Sequence, residues 1–262
     1  HGVGWAPDPR RLVSLDIDAL QARYHMQTFG TTAEQIASIA VKNHENGHYS
    51  ARARGRLGLD VAAVLADRLV VEPLTRPMCA PVSDGAAAAL LCSSSFLATR
   101  PRTARDRALK LRAVALAGGT WRGLGEADVV QAAASRAWRR SGLTPAHIAV
   151  AEVHDATAWR ELRVMESLGF CGVGEGGPYV ASGATGPNGE RPVNLSGGLL
   201  SLGNPLGATG LGMLDELVHQ LRGEAYGRQA PGNPQIGLLQ NSGGHIALDE
   251  ALCCVAILER AD

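Results

Sequence analysis

Apolar residues recur at helical spacing along the first quarter of the chain. "SLDIDALQARYHMQTFG" (14–30) predicts a helix that Ser14 or Asp16 can cap and Gly30 can end. "TTAEQIASIAVKNHENG" predicts a second helix. Thr31 or Thr32 caps it, Glu34 or Gln35 can close a capping box, and Ile36, Ile39 and Ala40 form one apolar face. "LGLDVAAVLADRLVVEPLTR" reads as helix or turn followed by a short extended piece, and residues 1–15, punctuated by Gly2, Gly4, Pro7 and Pro9, read as loop.

From Cys79 onward the pattern alternates. "APVSDGAAAALLCSS" is read as turn residues followed by a strand of small residues packed tightly on its neighbours, and "LKLRAVALAGG" as a further strand. "GEADVVQAAASRAWRRSGLTPAHI" predicts a helix ending near Gly142, and "IAVAEVHDATAWRELRVMESLGF" a buried strand, a polar turn at His154–Asp155 and a helix. After a glycine-rich loop (172–189), "LGMLDELVHQLRG" predicts another helix and "IGLLQNSGGHIALDEALCCVAILE" two strands joined by a glycine turn. Strands alternating with helices predict an α/β fold.

Composition narrows the function classes. The 262 residues are 45% hydrophobic and carry 25 Lys+Arg against 25 Asp+Glu, which argues for a real core and against a dominant nucleic-acid surface. The basic stretch "RPRTARDRALKLR" (100–112) is better explained as a solvated linker and helix start than as a phosphate anchor. Five cysteines without a CxxC spacing predict no zinc site built by this chain alone and fit a reducing, cytoplasmic compartment. The longest apolar run, residues 85–98, is too short and too interrupted to predict a membrane span, and no signal-peptide pattern opens the chain. The chain starts at His1, as expected of a processed protein or of a piece of a longer one.

Three turns carry the candidate chemistry: "EVHDAT" (152–157), "LGNPLGATG" (202–210) and "QNSGGHI" (240–246). Each follows an apolar or extended piece, where ligands sit in open α/β sheets. Gly197, Gly198, Gly203 and Gly207 permit close backbone approach to a ligand, although turn geometry alone explains part of that pattern. Asn204 can donate and accept hydrogen bonds but cannot take a proton. His245 is the only titratable group in its turn; a base and a histidine facing a subunit contact are equally good readings of it.

The wording of these segments resembles the thiolase superfamily, especially its sterol-carrier and lipid-transfer branch. "CAPVSDGAAAALL" is similar to the family's SDGAAA segment, "EVHDAT" to its HDxF turn, and "PVNLSGGLLSLGNPLGATG" to its NxSGG…GHPxGATG segment. "YHMQTFGTTAEQIASIAVKNHENG" resembles the opening of its loop domain. The resemblance covers nearly the whole chain. It implies an α/β thiolase-like fold, with a mixed sheet layered with helices: a helical loop domain at 1–76, a remnant of the amino-terminal half at 77–104 and a C-terminal half at 105–262.

Departures from the family pattern matter as much. Asn204 stands where the GHP histidine activates the family's nucleophilic cysteine, and Gln240, Asn241 and Ser242 stand around the place of its second cysteine. That nucleophile belongs to a segment of the amino-terminal half that none of the five cysteines here lies in, so a cysteine cycle through Asn204 is not expected.

The resemblance implies His154 as an oxyanion donor, with Asn204 as a second donor. Asp155 orients a neighbour or, as the better reading, caps the next helix. Ser83, Asp155, Gly197, Gly203, Gly207 and Asn241 are expected to meet a CoA thioester substrate, with His245, Tyr24 or Tyr179 as the proton-transfer group. No covalently bound cofactor and no metal are expected.

Three functions remain open: retro-aldol cleavage of a lipid or steroid side-chain CoA thioester, thiolase-type acyl transfer with its nucleophile elsewhere, and non-catalytic binding of acyl-CoA or lipid. The expected partner is a second copy, a thiolase-type subunit or a small OB-fold, zinc-ribbon subunit.

Overall fold

The computed structural model describes residues 13–53 and 58–261. The loop expected at the amino terminus falls at 1–12 outside the described residues; Val13, Ser14 and Leu15 are already helical. Helix α1 spans Val13–Phe29, so Ser14 and Asp16 lie inside it, and Gly30 follows with a left-handed φ of 78°.

Helix α2 (Ala33–Gly47) starts as its sequence dictates. Thr32 accepts the Gln35 N–H, and the Gln35 side chain returns to the Thr32 backbone, closing the capping box. Ile36, Ile39 and Ala40 are fully buried. Helix α3 (Val61–Ala66) and a two-stranded ribbon of β1 (Leu69–Val71) and β2 (Leu74–Thr75) complete this helical region.

One four-stranded mixed sheet organises the rest, in the order β3-β6-β5-β4. Strands β3 (Leu109–Gly118), β6 (Leu252–Arg260) and β5 (Ile236–Gly243) pair antiparallel, and β4 (Val150–Val153) pairs parallel to β5. Alternation along β6 divides two cores. Cys253, Val255 and Ile257 face the layer of α6 (Val129–Ser141) and α7 (Ala158–Leu168), whereas Ala256 and Leu258 face α10 (Thr209–Arg222). Gly142 and Gly169 end α6 and α7 in the left-handed conformation.

The small-residue run at 80–93 departs from expectation. It has neither regular secondary structure nor a ladder among the described residues, with Val82, Leu90 and Leu91 at 86%, 96% and 74% exposure. A strand needs a partner to satisfy its backbone, and here Ala80 and Pro81 find theirs in loops and Ser93 in the short helix it caps, none of them in the sheet. Helices α4 (Ser94–Ala98) and α5 (Arg102–Arg105) follow as short exposed turns. The arginines of this basic stretch are largely self-satisfied: Arg102 pairs with Asp106, Arg107 with Glu224 and Arg112 with Glu259, and Arg100 lies over the Phe96 ring.

Helix α8 (Gly176–Ala181) interrupts the glycine-rich loop, and α9 (Gly198–Leu202) precedes Asn204. Among the described residues no helix is long and apolar enough to cross a membrane.

Candidate active site at the strand ends

Parallel pairing of β4 and β5 brings two of the three polar turns together. Val153 is level with Gln240, and the backbone N–H of His154 donates to Gln240 Oε1 at 3.1 Å. The "PVN" segment runs beside β4 on its other edge, where Asn194 N–H donates to Ala151 O at 2.9 Å and Val153 N–H to Asn194 Oδ1 at 2.8 Å. The third turn is linked through the segment that follows Cys79. Ala80 N–H donates to Ala156 O, and Asn204 N–H donates to Pro81 O, both at 3.0 Å.

His154 and His245 belong to one electrostatic group. His154 is buried, and its Nδ1 has no hydrogen-bond partner among the described residues. Burial, then the Arg160 charge, with a smaller share from His245 and against the pull of Glu250, push its pKa down to about 3. His245 is exposed in the β5–β6 loop, yet partial desolvation and Arg160 hold it below the ordinary histidine value. Both imidazoles are therefore neutral at physiological pH.

Arg160 underlies this arrangement. From the first turn of α7 its Nε donates to both carboxylate oxygens of Asp18 at 2.9 Å, and its Nη1 pairs with Glu250. The guanidinium thus ties α1 to the β5–β6 loop, and its charge acts on both histidines.

Asp155 caps a helix, but α9 rather than α7. Its carboxylate accepts Leu199 N–H at 2.6 Å, Leu200 N–H at 3.3 Å and Asn43 Nδ2 at 2.8 Å, while Thr157 caps α7. Burial, then Glu161, raise the Asp155 pKa well above the ordinary carboxylate value. Asn204 is half-buried, and its Oδ1 accepts Thr209 Oγ1 at 2.9 Å, which turns the amide N–H₂ end away from that contact.

A cavity of about 330 Å³ opens beside the Asn204 loop. Ser83 and Gly203 line it, with Glu152, Ser196, Leu199 and Met213; His154, Asn204 and His245 do not. The expected site is thus divided between a pair of neutral imidazoles and a cavity, with the 79–83 segment touching the loops of both. Gly207 has open space around it, Gly197 packs on Gly47, and Asn241 sits against Gly210. Tyr24 and Tyr179 are committed elsewhere: Tyr24 packs on Gly125, and the Tyr179 hydroxyl accepts Arg191 Nη1 at 2.9 Å.

Arg160, Glu250, Asp18, Glu152 and Ser196 were not anticipated. Glu152 had a local signal, a carboxylate in the middle of the apolar run "IAVAEV", which must find partners when that strand is buried.

Comparison with known proteins agrees with this architecture. The family model described as thiolase C-terminal domain-like matches residues 122–259. The chain belongs to the thiolase superfamily. Among thiolase relatives, it is 41% identical to "Acetyl-CoA acetyltransferase" of Methanothermobacter thermautotrophicus over 86% of this chain and 59% of that protein. It is 35% identical to "Sterol carrier protein 2" of Bos taurus over 92% of this chain and 45% of that protein. The chain therefore spans about half the length of the curated thiolase relatives it matches. The solved structure described as "Ltp2-ChsH2(DUF35) aldolase" shares the fold, with a TM-score of 0.77 at 21% identity, covering 94% of this chain and 63% of that one.

Proposed function

We propose that this thiolase-like chain acts on a CoA thioester of a lipid, cleaving a carbon–carbon bond by a retro-aldol step without a cysteine cycle. The observation that carries the reading is the neutral, buried His154 with an unpartnered Nδ1, at the strand ends beside a second neutral imidazole. In the proposed step His245 takes the proton of a β-hydroxyl. The Cα–Cβ bond breaks as the hydroxyl oxygen becomes a carbonyl, and its electron pair moves to the thioester oxygen as an enolate. His154 and the Asn204 amide donate hydrogen bonds to that oxygen. Protonation at Cα then releases a shorter acyl-CoA and an aldehyde or ketone. A neutral imidazole suits the donor role, because it polarises an oxygen without itself carrying charge.

The fold shared with the Ltp2-ChsH2(DUF35) aldolase supports this reading. So do the thiols. Burial, then Asp18, push Cys79 up to about 12; burial, then Glu166, do the same for Cys171; and burial raises Cys253 and Cys254. None of these four is an activated nucleophile.

The identity to an acetyl-CoA acetyltransferase favours a second reading, acyl transfer with the nucleophilic cysteine supplied from outside these residues. A steroid side chain is one candidate acyl group for either chemistry. In both, the chain works as a homodimer or with a thiolase-type or OB-fold subunit. Exposed Val114 and Leu116 on the edge strand β3, with Leu252 beside them, support such a contact.

Incubation with a 3-hydroxyacyl-CoA, and separately with a 3-ketoacyl-CoA plus free CoA, tests the choice. Aldol chemistry expects turnover of the first, lost in His245→Ala. Turnover of the second alone assigns acyl transfer, and turnover of the first at an unchanged rate in His245→Ala removes that base.

A further inference from the structure

The floor of the 330 Å³ cavity holds a hydrogen-bonding device that neither reaction above uses. Glu152 on β4 is almost fully buried, and Ser196 meets it twice. The Ser196 N–H donates to Oε1 at 3.1 Å, and Ser196 Oγ lies 2.6 Å from Oε2. Ser196 Oγ also accepts the Gly198 N–H at 3.0 Å. Leu199 and Met213 form apolar wall, Ser83 contributes a hydroxyl with no partner among the described residues, and Arg52 stands at the cavity, paired with Asp215.

Hydrogen counting gives this floor two states. When Glu152 is ionised, the single Ser196 hydroxyl hydrogen is consumed by Oε2. When Glu152 carries a proton, that proton points to Ser196 Oγ instead. Glu152 and the Gly198 N–H then occupy the hydroxyl's two lone pairs, and its own hydrogen is left for whatever fills the cavity.

We infer that Ser196 and Glu152 form a proton-gated donor that selects a compact, uncharged occupant bearing an acceptor oxygen, such as a ketone or an ester. The size follows from the volume, which holds about ten non-hydrogen atoms at the ~30 Å³ share of a liquid water molecule. The absence of charge follows from the surroundings. Glu216 of α10, itself bound to Arg228 at 2.9 Å, acts on Glu152 and meets a carboxylate occupant with like charge, whereas Asp155 of the β4–α7 turn, its own carboxyl favoured in the uncharged form, adds less. β5 presents only Leu239 opposite Glu152. Burial, then Glu216, raise the Glu152 pKa to about 8, which keeps the donating state in place at neutral pH.

A small ketone tests this without any CoA, so its outcome is separate from that of the thioester reading. 2-Hexanone is titrated into the ¹³C-methyl-labelled protein at about pH 6.5 and about pH 9.5, on either side of the Glu152 transition, following the Met213 and Leu199 methyl signals. The expected result is binding at the lower pH that weakens by about fivefold or more at the higher, the worth of one neutral hydrogen bond. Glu152→Gln, whose amide donates to Ser196 Oγ at every pH, should bind equally at both; Ser196→Ala should bind more weakly with no pH dependence; hexanoate should leave the signals unmoved. Equal affinity of the native protein at both pH values, no methyl shift with 2-hexanone at the lower pH, or a Glu152→Gln variant that follows the native pH dependence would overturn the inference.

Discussion

Gly47, the last residue of α2, and Gly197, just ahead of α9, meet backbone to backbone. A Cβ added to Gly197 would lie 2.6 Å from Gly47 Cα and 2.8 Å from Gly47 N, and Gly197 itself has φ +99°. This contact seats the helical region on the loop that leads to Asn204. Gly197→Ala adds both left-handed strain and overpacking, and is expected to cost about 3 kcal/mol or more. Urea denaturation should show a lower midpoint at an unchanged slope. Gly207→Ala, with open space around its Cβ position, serves as the control and should shift the midpoint far less.

Asp155 sets the geometry of the same loop from the β4 side. Asp155→Ala strands the N–H groups of Leu199 and Leu200 and the Asn43 amide, at an expected cost of about 3 kcal/mol. Asp155→Asn should cost less, because burial and Glu161 already favour the uncharged carboxyl. Denaturant midpoints of the two variants check the order. A larger loss in the asparagine variant would mean that the carboxylate charge holds α9.

What was legible in the sequence is what is local. The Thr32–Gln35 capping box and the glycine that ends α6 depend on neighbours a few residues away. Two of the three polar turns were legible as strand-end loops, and the β4–β5 register brings them together through the His154–Gln240 bond, whereas the third, 202–210, follows helix α9 and not a strand. Misreadings came where a distant partner decides. The run at 80–93 has strand composition but no ladder among the described residues, so its apolar side chains stay exposed. Asp155 was expected to cap the helix that follows it, yet Thr157 is better placed there, and Asp155 serves a helix some forty residues on. Nothing near Arg160 in sequence announces that its partner is Asp18, 142 positions earlier.

Two buried groups should give stability opposing pH slopes. His154 has a folded pKa near 3 against an ordinary 6.5, so its contribution is complete above pH 6.5 and is lost as the pH falls toward 3. Glu152 has a folded pKa near 8 against an ordinary 4.5, so its contribution is complete below pH 4.5 and is lost as the pH rises toward 8. Between pH 4.5 and 6.5 the two offset one another. Denaturation free energies measured across pH 4 to 8 should therefore tilt in opposite senses in two variants. Glu152→Gln should lose less stability than the native protein on going to pH 8, and His154→Gln less on going to pH 4, each by up to about 1.4 kcal/mol per pH unit. Parallel profiles in all three proteins would mean that neither group titrates as its burial requires.

Thiol reactivity bears directly on the choice between the two chemistries. Of the five cysteines, Cys92 is exposed, whereas Cys253 is buried and Cys79, Cys171 and Cys254 are partly so, all four with raised pKa values. The thiolate is the reacting species, so a group held as the thiol reacts slowly whatever its position. Native protein mixed with an aromatic disulfide at neutral pH should release one equivalent of thiolate quickly, abolished in Cys92→Ser, and the remaining four only after unfolding. A second fast equivalent assigned to Cys79 would change the mechanism. Cys79 stands at the head of the segment that joins the Ala156 and Asn204 loops, and a reactive thiolate there would give the chain a nucleophile of its own and favour acyl transfer over aldol cleavage.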